Sequence, residues 1–269
     1  MDTIRLGSVE ASRFVLGGNP FSGFSHQGPE ANARMQHYYT AARVKETLRA
    51  AEAAGITAFL GRTDRHIARI LMEYWDEGGR LAWIAQTCPG VAPTEQCVDL
   101  ALGNGAKAIF IHGGVMDHCL ARGDMADPLA GIEKIRAAGL PVGVAGHDPA
   151  VFRWAEREGL DLDFYMCSYY NSAHRDKSAE KLSNQPEWFL EEDRHAMAAT
   201  IRDLPRPVIH YKVLAAGRND PADALAFTAR TMRPTDAVCV GIYTKDNPDM
   251  VAEDVRLFEK ALARRETGA

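Results

Sequence analysis

Short apolar segments alternate with longer amphipathic segments along nearly the whole sequence, and this alternation constrains the fold more than any other feature. The short segments are rich in β-branched and aromatic residues, as strands are. The longer ones carry apolar residues at positions i, i+3, i+4 and i+7 with charge on the opposite face, which is typical of helices that cover a sheet. The predicted strands are 14–19, 56–62, 81–87, 106–112, 141–147, 162–171, 207–214 and 237–244.

The chain length of 269 residues suits one particular arrangement of these eight units. Clear amphipathic helices are predicted over 41–54, 65–77, 128–138 and 248–263. Eight β/α units in about 250 residues match a (β/α)8 or TIM barrel, so the sequence predicts one α/β domain over 1–269. An open doubly wound sheet is the alternative. Residues 17–21, however, do not form the glycine-rich phosphate turn that follows the first strand of such a sheet.

Composition and charge exclude several classes of function. The 31 Lys and Arg against 36 Asp and Glu give a net charge of −5, and no basic cluster stands out, so we expect no nucleic-acid partner. No segment approaches the roughly 18 apolar residues of a membrane span, and the N-terminus does not resemble a signal peptide. The five cysteines are scattered without a C-x-x-C pair, as in a reducing compartment. We expect a cytoplasmic protein with a small-molecule substrate; a homo-oligomer would be compatible with the sequence.

Two predicted βα connections are unusually long. The first, over 21–40, is rich in Gly, Ser, His and Gln. The second, over 172–186, contains His174, Arg175, Asp176, Lys177 and Lys181. Because long loops in a compact domain are more often functional than idle, we expect both to lie over the site.

Polar side chains converge on the carboxyl ends of the predicted strands, where TIM barrels carry their active sites. Three of these strands contain a histidine near their ends, His112, His147 and His210, and Lys212 follows on the same face as His210. Imidazole groups act as acids and bases near neutral pH, although each could also merely cap a strand. These four residues are the candidate catalytic groups. The candidate substrate-binding residues are Asn19, Arg62, Asp64, Gln86, Tyr169, Asn171, Tyr211, Tyr243 and Lys245.

Two further roles for the same residues stay open. His147, His210 and Asp148 would provide two nitrogen ligands and one oxygen ligand for a divalent metal such as Mn, Fe or Zn. No H-x-H or H-E-x-x-H spacing fixes that geometry. Lys212 could form a Schiff base, as lysines inside barrels do, or bind an anionic substrate.

Several of these segments resemble the aldo/keto reductase superfamily, whose members are NADPH-dependent (β/α)8 oxidoreductases. Residues 108–112 are similar to the fourth strand with its active-site histidine, which would be His112. Residues 169–171 are similar to the end of the sixth strand. The segment 210–217 is similar to the seventh-strand region, whose aromatic residue stacks on nicotinamide and would be Tyr211. Residues 241–254 are similar to the last strand and the cofactor-binding helix.

The departures from that family bear on the chemistry. Neither the catalytic aspartate nor the proton-donating tyrosine has a counterpart over 59–66, and Thr87 stands in place of the family's lysine. His147 lies where the family binds the carboxamide, Cys167 replaces a glutamine there, and Met250 lies near the expected phosphate-binding basic residue. The resemblance therefore implies a divergent barrel in which NADPH is not expected, although the sequence does not exclude it.

Three functions are consistent with this sequence. The first is a lyase or isomerase that abstracts a proton next to a carbonyl of a small polyhydroxylated, sugar-like oxo compound, with or without a divalent metal. The second is an NADPH-dependent oxidoreductase with a rearranged site. The third is a catalytically inactive barrel that acts as a binding protein.

Overall fold

The computed structural model describes residues 1–90, 92–173, 177–179 and 187–267. It confirms the predicted fold class, because eight parallel strands form a closed barrel surrounded by helices. The strands of the described residues are β1 (Thr3–Leu6), β2 (Val9–Ser12), β3 (Phe14–Gly17), β4 (Ala58–Arg62), β5 (Ala82–Gln86), β6 (Ala108–Ile111), β7 (Val142–Gly146), β8 (Phe164–Ser168), β9 (Val208–Tyr211) and β10 (Ala237–Gly241). The barrel order is β3 to β10 in sequence, and β10 closes the ring by pairing with β3.

The helices cover the outside of the barrel, and local capping fixes where several of them begin. They are α1 (Pro29–Tyr38), α2 (Ala41–Ala53), α3 (Arg65–Asp76), α4 (Thr94–Gly103), α5 (Gly113–Arg122), α6 (Ala126–Ala137), α7 (Pro149–Arg157), α8 (Glu191–Asp203), α9 (Pro221–Thr231) and α10 (Met250–Thr267). Thr40 caps α2 by accepting a hydrogen bond from the Arg43 amide, and Asp64 caps α3 by accepting one from Ile67. The predicted helices agree with α2, α3, α6 and α10 to within a few residues.

Strand alternation divides the buried apolar residues into two groups. One face of each barrel strand packs against the helices, while the other points into the barrel. The barrel interior contains, among others, Leu60, Phe110, Phe164 and Met166. Ile4, Leu6 and Ala11 of the antiparallel β1–β2 hairpin belong to the same cluster, so the hairpin closes the amino-terminal end of the barrel.

Several segments differ from the sequence predictions. The hairpin and α5 were not predicted, and the connection predicted as a loop over 21–40 contains α1. Most of the second predicted long loop, including His174, Arg175, Asp176 and Lys181, lies outside the described residues. In the part of the chain that the structure describes, no helix combines the length and hydropathy needed to cross a bilayer.

Gly143 shows how tightly the barrel interior is packed. A Cβ at this position would lie 2.5 to 2.8 Å from three ring atoms of Phe164. Because the ring is completely buried, we expect Gly143→Ala to lower the free energy of unfolding by about 1 to 3 kcal/mol. Chemical denaturation followed by circular dichroism would measure the change.

Gly103→Ala is the matched control. This glycine lies at the end of α4, and a Cβ there would contact nothing within 4 Å. The same substitution should be neutral or stabilise the protein by up to about 1 kcal/mol, since alanine favours helix. Equal losses in the two variants would contradict the packing argument.

Candidate active site

A cavity of about 840 Å³ opens at the carboxyl ends of the barrel strands. Its floor consists of apolar interior residues that include Phe110, Ala145 and Met166. Eight of the predicted site residues line it, namely Asn19, Arg62, Gln86, His112, His147, Tyr211, Lys212 and Tyr243. The other predicted site residues, Asp64, Asp148, Tyr169, Asn171, His210 and Lys245, do not line this cavity.

The most informative contact in the cavity wall is a pair between His147 and Asp117. His147 follows β7, and its Nδ1 lies 2.6 Å from Oδ2 of Asp117, with both side chains 4% exposed. The other carboxylate oxygen, Oδ1, accepts hydrogen bonds from the backbone amides of His147 at 3.0 Å and Asp148 at 3.2 Å. Three hydrogen bonds therefore fix the carboxylate, which in turn fixes the proton of the imidazole on Nδ1. Nε2 therefore carries the lone pair and can accept a proton or a hydrogen bond.

Tyr211 occupies the space in front of that nitrogen. Its hydroxyl lies 3.3 Å from Nε2 of His147 and 3.4 Å from the carbonyl oxygen of Gly146. A side chain at Gly113 would collide with both rings, because its Cβ would lie 2.9 Å from the Tyr211 hydroxyl and 3.0 Å from Cε1 of His147. The Tyr211 hydroxyl can thus donate to either acceptor.

His112 presents a hydrogen-bond donor to the same cavity. It is the N-cap of α5, and its Nδ1 accepts a hydrogen bond of 3.0 Å from the backbone amide of Gly114. The backbone amide of His112 donates to Oγ1 of Thr87 at 2.9 Å, which holds the residue in place. Since Nδ1 is an acceptor, the ring proton lies on Nε2, so His112 is suited to stabilise negative charge on a substrate oxygen.

Two cationic side chains also line the cavity. Lys212 directly follows β9 in a left-handed conformation, with φ of +58°, and its Nζ donates to Oγ of Ser172 at 3.0 Å. Arg62 lies at the end of β4, where Nε contacts Oδ2 of Asp64 at 3.3 Å and the guanidinium stacks over Phe24 at 4.4 Å. Both cations are therefore held beside the cavity by these contacts.

His210 does not face the mouth of the barrel, and that part of the sequence prediction is wrong. Ile209 and Tyr211 point into the barrel, so His210 between them points outward and is completely buried. Its Nδ1 lies 3.0 Å from the Tyr169 hydroxyl and its Nε2 lies 3.4 Å from Oδ2 of Asp236. Lys212 does not share this outward face because the strand ends at Tyr211 and the backbone then turns.

The predicted metal ligands do not come together either. His147 is bound to Asp117 and His210 to Asp236, while Asp148 caps α7 by accepting a hydrogen bond from the Ala150 amide. Within the described ranges, no group of three or more His, Cys, Asp and Glu side chains could hold a metal ion. The set His147, His210 and Asp148 is therefore corrected, because strand alternation places the two imidazoles on different sides of the barrel wall.

The remaining predicted binding residues lie outside the cavity for local reasons. Tyr169 is buried and its hydroxyl contacts Thr231. Lys245 is exposed. Asp64 caps α3, and the backbone amide of Asn171 donates to Asp193.

Sequence reasoning missed three polar residues at this site. Asp117 lies on α5, in an otherwise apolar buried stretch that follows His112, and a carboxylate at such a position was the available signal. His26 lies in the first long connection, and Glu187 follows the second. Nδ1 of His26 lies 2.9 Å from Oε1 of Glu187, and His26 also lines the cavity.

One lobe of the cavity, between β3, β10 and α10, is acidic. It is lined by Asp246, Glu253 and Asp254 together with Gly17 and Met250. Asp254 is 6% exposed, and burial, followed by the charge of Glu253, raises its pKa to about 6. Arg34 of α1 lines the same cavity, so one cation accompanies these carboxylates.

The fold and the position of the cavity define the chain as an α/β barrel with a pocket of apolar and polar side chains at the end where such barrels bind their ligands. Solved structures of the same fold span almost the whole chain. A protein described as an aldo-keto reductase from Pseudomonas aeruginosa superposes with a TM-score of 0.65 at 16% identity, covering 97% of this chain and 95% of its own. An aldo-keto reductase from Bacillus halodurans gives 0.57 at 12% identity, with coverages of 99% and 96%.

Solved barrels that are described with other activities have nearly the same structural similarity to this chain. The 3-hexulose-6-phosphate synthase from Salmonella typhimurium gives a TM-score of 0.54 at 15% identity, covering 94% of this chain and 100% of its own. No protein-family model matches the chain, and no curated protein sequence matches it. The structural similarity thus supports the fold, and the function must be argued from the site.

Proposed function

We propose that the protein is an enzyme, a lyase or isomerase, that abstracts a proton next to the carbonyl group of a small polyhydroxylated oxo compound. The observation that carries this proposal is the Asp117–His147 pair. A buried carboxylate 2.6 Å from Nδ1 orients the imidazole so that Nε2 can accept a proton in the cavity.

The other lining residues supply what this reaction needs. Removal of the proton moves negative charge onto the carbonyl oxygen, and His112 Nε2 and the ammonium group of Lys212 are the donors available to stabilise it. The apolar floor lowers the local polarity and so strengthens these interactions. Proton abstraction therefore has both a base and an electrophilic environment in one cavity.

Hydroxyl groups of such a substrate would meet several polar side chains. Asn19, Gln86 and Tyr243 line the cavity, and the buried hydroxyl of Tyr243 has no hydrogen-bond partner among the described residues. Arg62 would bind a carboxylate or phosphate group if the substrate carries one. These residues support the sugar-like character that we propose for the substrate.

The acidic lobe argues against the alternative of an NADPH-dependent reductase. The resemblance to aldo/keto reductases implies that residues 241–254 would hold the nucleotide, but three carboxylates face the cavity there. These carboxylates, two of them exposed, would disfavour the phosphates of the cofactor, and the single cation Arg34 would offset only part of that effect. We therefore expect no fluorescence change when NADPH is titrated into the protein.

Deuterium exchange tests the proposed function directly. The protein is incubated in D₂O with D-erythrulose, D-fructose, D-tagatose and 2-keto-D-gluconate, and proton NMR follows the signals next to each carbonyl. Loss of such a signal at a rate above the buffer rate is the expected result. If no compound exchanges, or if NADPH binds and carbonyl reduction is observed instead, the proposal is contradicted.

Lys212 provides a quantitative prediction. Because its ammonium group is one of two donors to the developing oxyanion, we expect Lys212→Met to lower kcat/KM for exchange by about 10²-fold. Lys245→Met is the control, since Lys245 is exposed and lies outside the cavity. A similar loss in both variants, or none in Lys212→Met, would remove Lys212 from the site.

A further inference from the structure

A second histidine–carboxylate pair reaches the cavity in addition to Asp117 and His147. His26 lies between β3 and α1, and its Nδ1 is 2.9 Å and 3.0 Å from the two carboxylate oxygens of Glu187. The Glu187 side chain is 3% exposed, and Oγ of Ser172 lies 3.5 Å from its Oε1. Nε2 of His26 lies 3.5 Å from Nδ2 of Asn19, which also lines the cavity. The arrangement is similar to that of His147, because Nδ1 lies on a buried carboxylate and Nε2 lies beside a residue that lines the cavity.

The segment that carries His26 is hydrogen-bonded to the segment that follows β9 at the mouth of the barrel. Gln27 Nε2 donates to the carbonyl of Ala216 at 2.6 Å, and Arg218 donates to the carbonyl of His26 at 3.1 Å. Among the described residues, the non-glycine positions with positive φ are His26, Lys212, Ala215 and Ala216. All four lie in these two contacting segments. A left-handed conformation is costly for such residues and is retained where surrounding contacts enforce it, most often at functional sites.

His26 and His147 approach the cavity from different sides. Asn19, beside His26, directly follows β3, whereas His147 follows β7. In the barrel order these two strands are separated by four positions, the largest separation that eight strands allow. His26 itself lies in the connection after β3, and its Nδ1 is held by Glu187, which contacts Ser172 after β8. A substrate held between the two imidazoles would meet His147 at the end of β7 and His26 on the segment over the mouth.

We propose that His26 is a second acid–base catalyst and that the reaction inverts a stereocentre next to the carbonyl, which makes the protein an epimerase of hydroxylated oxo compounds. This inference rests on the proposed function and narrows it. Two groups on opposite faces of one carbon are what inversion requires, because the proton must leave from one face and be replaced from the other.

The step balances without a redox partner. His147 Nε2 takes the proton as the carbon–hydrogen bond breaks, and its electron pair forms the enolate with negative charge on oxygen. The enolate electron pair then forms a new bond to the proton of His26 Nε2–H on the opposite face, and the carbonyl group is restored. His26 enters as the imidazolium and leaves neutral, while His147 does the reverse. Solvent exchange resets both rings.

Glu187 is a positioning residue in this scheme. Its carboxylate holds Nδ1–H of His26 and so keeps Nε2 directed to the cavity. It does not touch the substrate. Glu187→Gln should therefore weaken inversion in the same direction as loss of His26, whereas a purely structural role would lower all rates together.

The experiment separates exchange from inversion. Wild type, His26→Gln and His147→Gln are incubated in D₂O with the panel compounds above, and NMR measures deuterium in the recovered starting compound and formation of its epimer. His37→Gln is the matched control, because His37 lies exposed on the neighbouring α1 outside the cavity. Thermal melting of each variant shows that it is folded.

We expect His26→Gln to lower epimer formation by about 10²-fold more than it lowers exchange in the starting compound. His147→Gln should lose exchange from the same starting compound, and the roles of the two variants should reverse when the reaction starts from the epimer. Equal loss of exchange and inversion in His26→Gln, or no loss of either, overturns the inference. Wild-type exchange without inversion also overturns it but leaves the proposed function intact, whereas absence of wild-type exchange overturns both.

Discussion

Replacing Asp117 by asparagine should reduce turnover by about 10²- to 10⁴-fold with little change in the fold. Oδ1 of Asp117 accepts the two backbone hydrogen bonds, and the side-chain oxygen of asparagine can keep them. The amide nitrogen would then take the position of Oδ2, 2.6 Å from Nδ1 of His147. Because that nitrogen donates, Nδ1 must become the acceptor and the ring proton must move to Nε2. Nε2 of His147 could then no longer accept a proton, although the heavy atoms of the site stay near their positions.

Two measurements check this result. Deuterium exchange with the panel compounds gives the loss of rate, and nitrogen-15 NMR of the histidine rings reports which nitrogen of His147 is protonated. Asp124→Asn is the control, since Asp124 is exposed just beyond the same helix. Normal exchange in Asp117→Asn would show that His147 is not the base.

The largest effect on stability is expected at Asp236. Its buried carboxylate accepts hydrogen bonds from the backbone amides of Val208 and Arg233, from the Arg233 side chain and from His210. Burial alone would raise the pKa of Asp236, but the hydrogen bonds from His210 and Arg233 outweigh it and lower the pKa to about 2. Burial lowers the pKa of His210, so its ring is neutral near pH 7. Arg233 is then the cationic partner of Asp236. Asp236→Ala leaves these donors without an acceptor and should cost about 3 to 5 kcal/mol.

The lowered pKa also predicts a dependence on pH. An aspartate with a lower pKa in the folded state stabilises the protein above its ordinary value of 3.8, and this contribution disappears as the pH falls toward 2. The difference corresponds to about 2 to 3 kcal/mol. Urea denaturation between pH 5 and pH 2 should therefore show a smaller acid-induced loss of stability in Asp236→Ala than in wild type.

Asp203→Ala is the control for both parts of this prediction. Asp203 is exposed at the end of α8, so its removal should change the free energy of unfolding by no more than about 0.5 kcal/mol. A comparable small change in Asp236→Ala would mean that the buried network around His210 contributes little to the fold.

The sequence by itself determined the barrel and much of its mouth. Eight repeated changes between strand and helix patterns require eight β/α units, and parallel strands place all their carboxyl ends on one side. A residue at the end of a strand, in phase with the inward face of that strand, could therefore be predicted to line the cavity. Four residues of this kind do line it, namely Arg62, Gln86, His112 and His147. This reasoning depends only on local periodicity.

Only the tertiary structure decided which side chains are partners. His210 lies near a strand end and was therefore predicted in the mouth of the barrel. Side chains alternate along a strand, however, so a shift of one position places His210 on the face that packs against the helices, where it contacts Tyr169 and Asp236. Asp117 contacts His147 at a sequence separation of 30 residues, and His26 contacts Glu187 at a separation of 161 residues. Such contacts arise from the closure of the barrel and from the path of its loops, and no local pattern in the sequence encodes them.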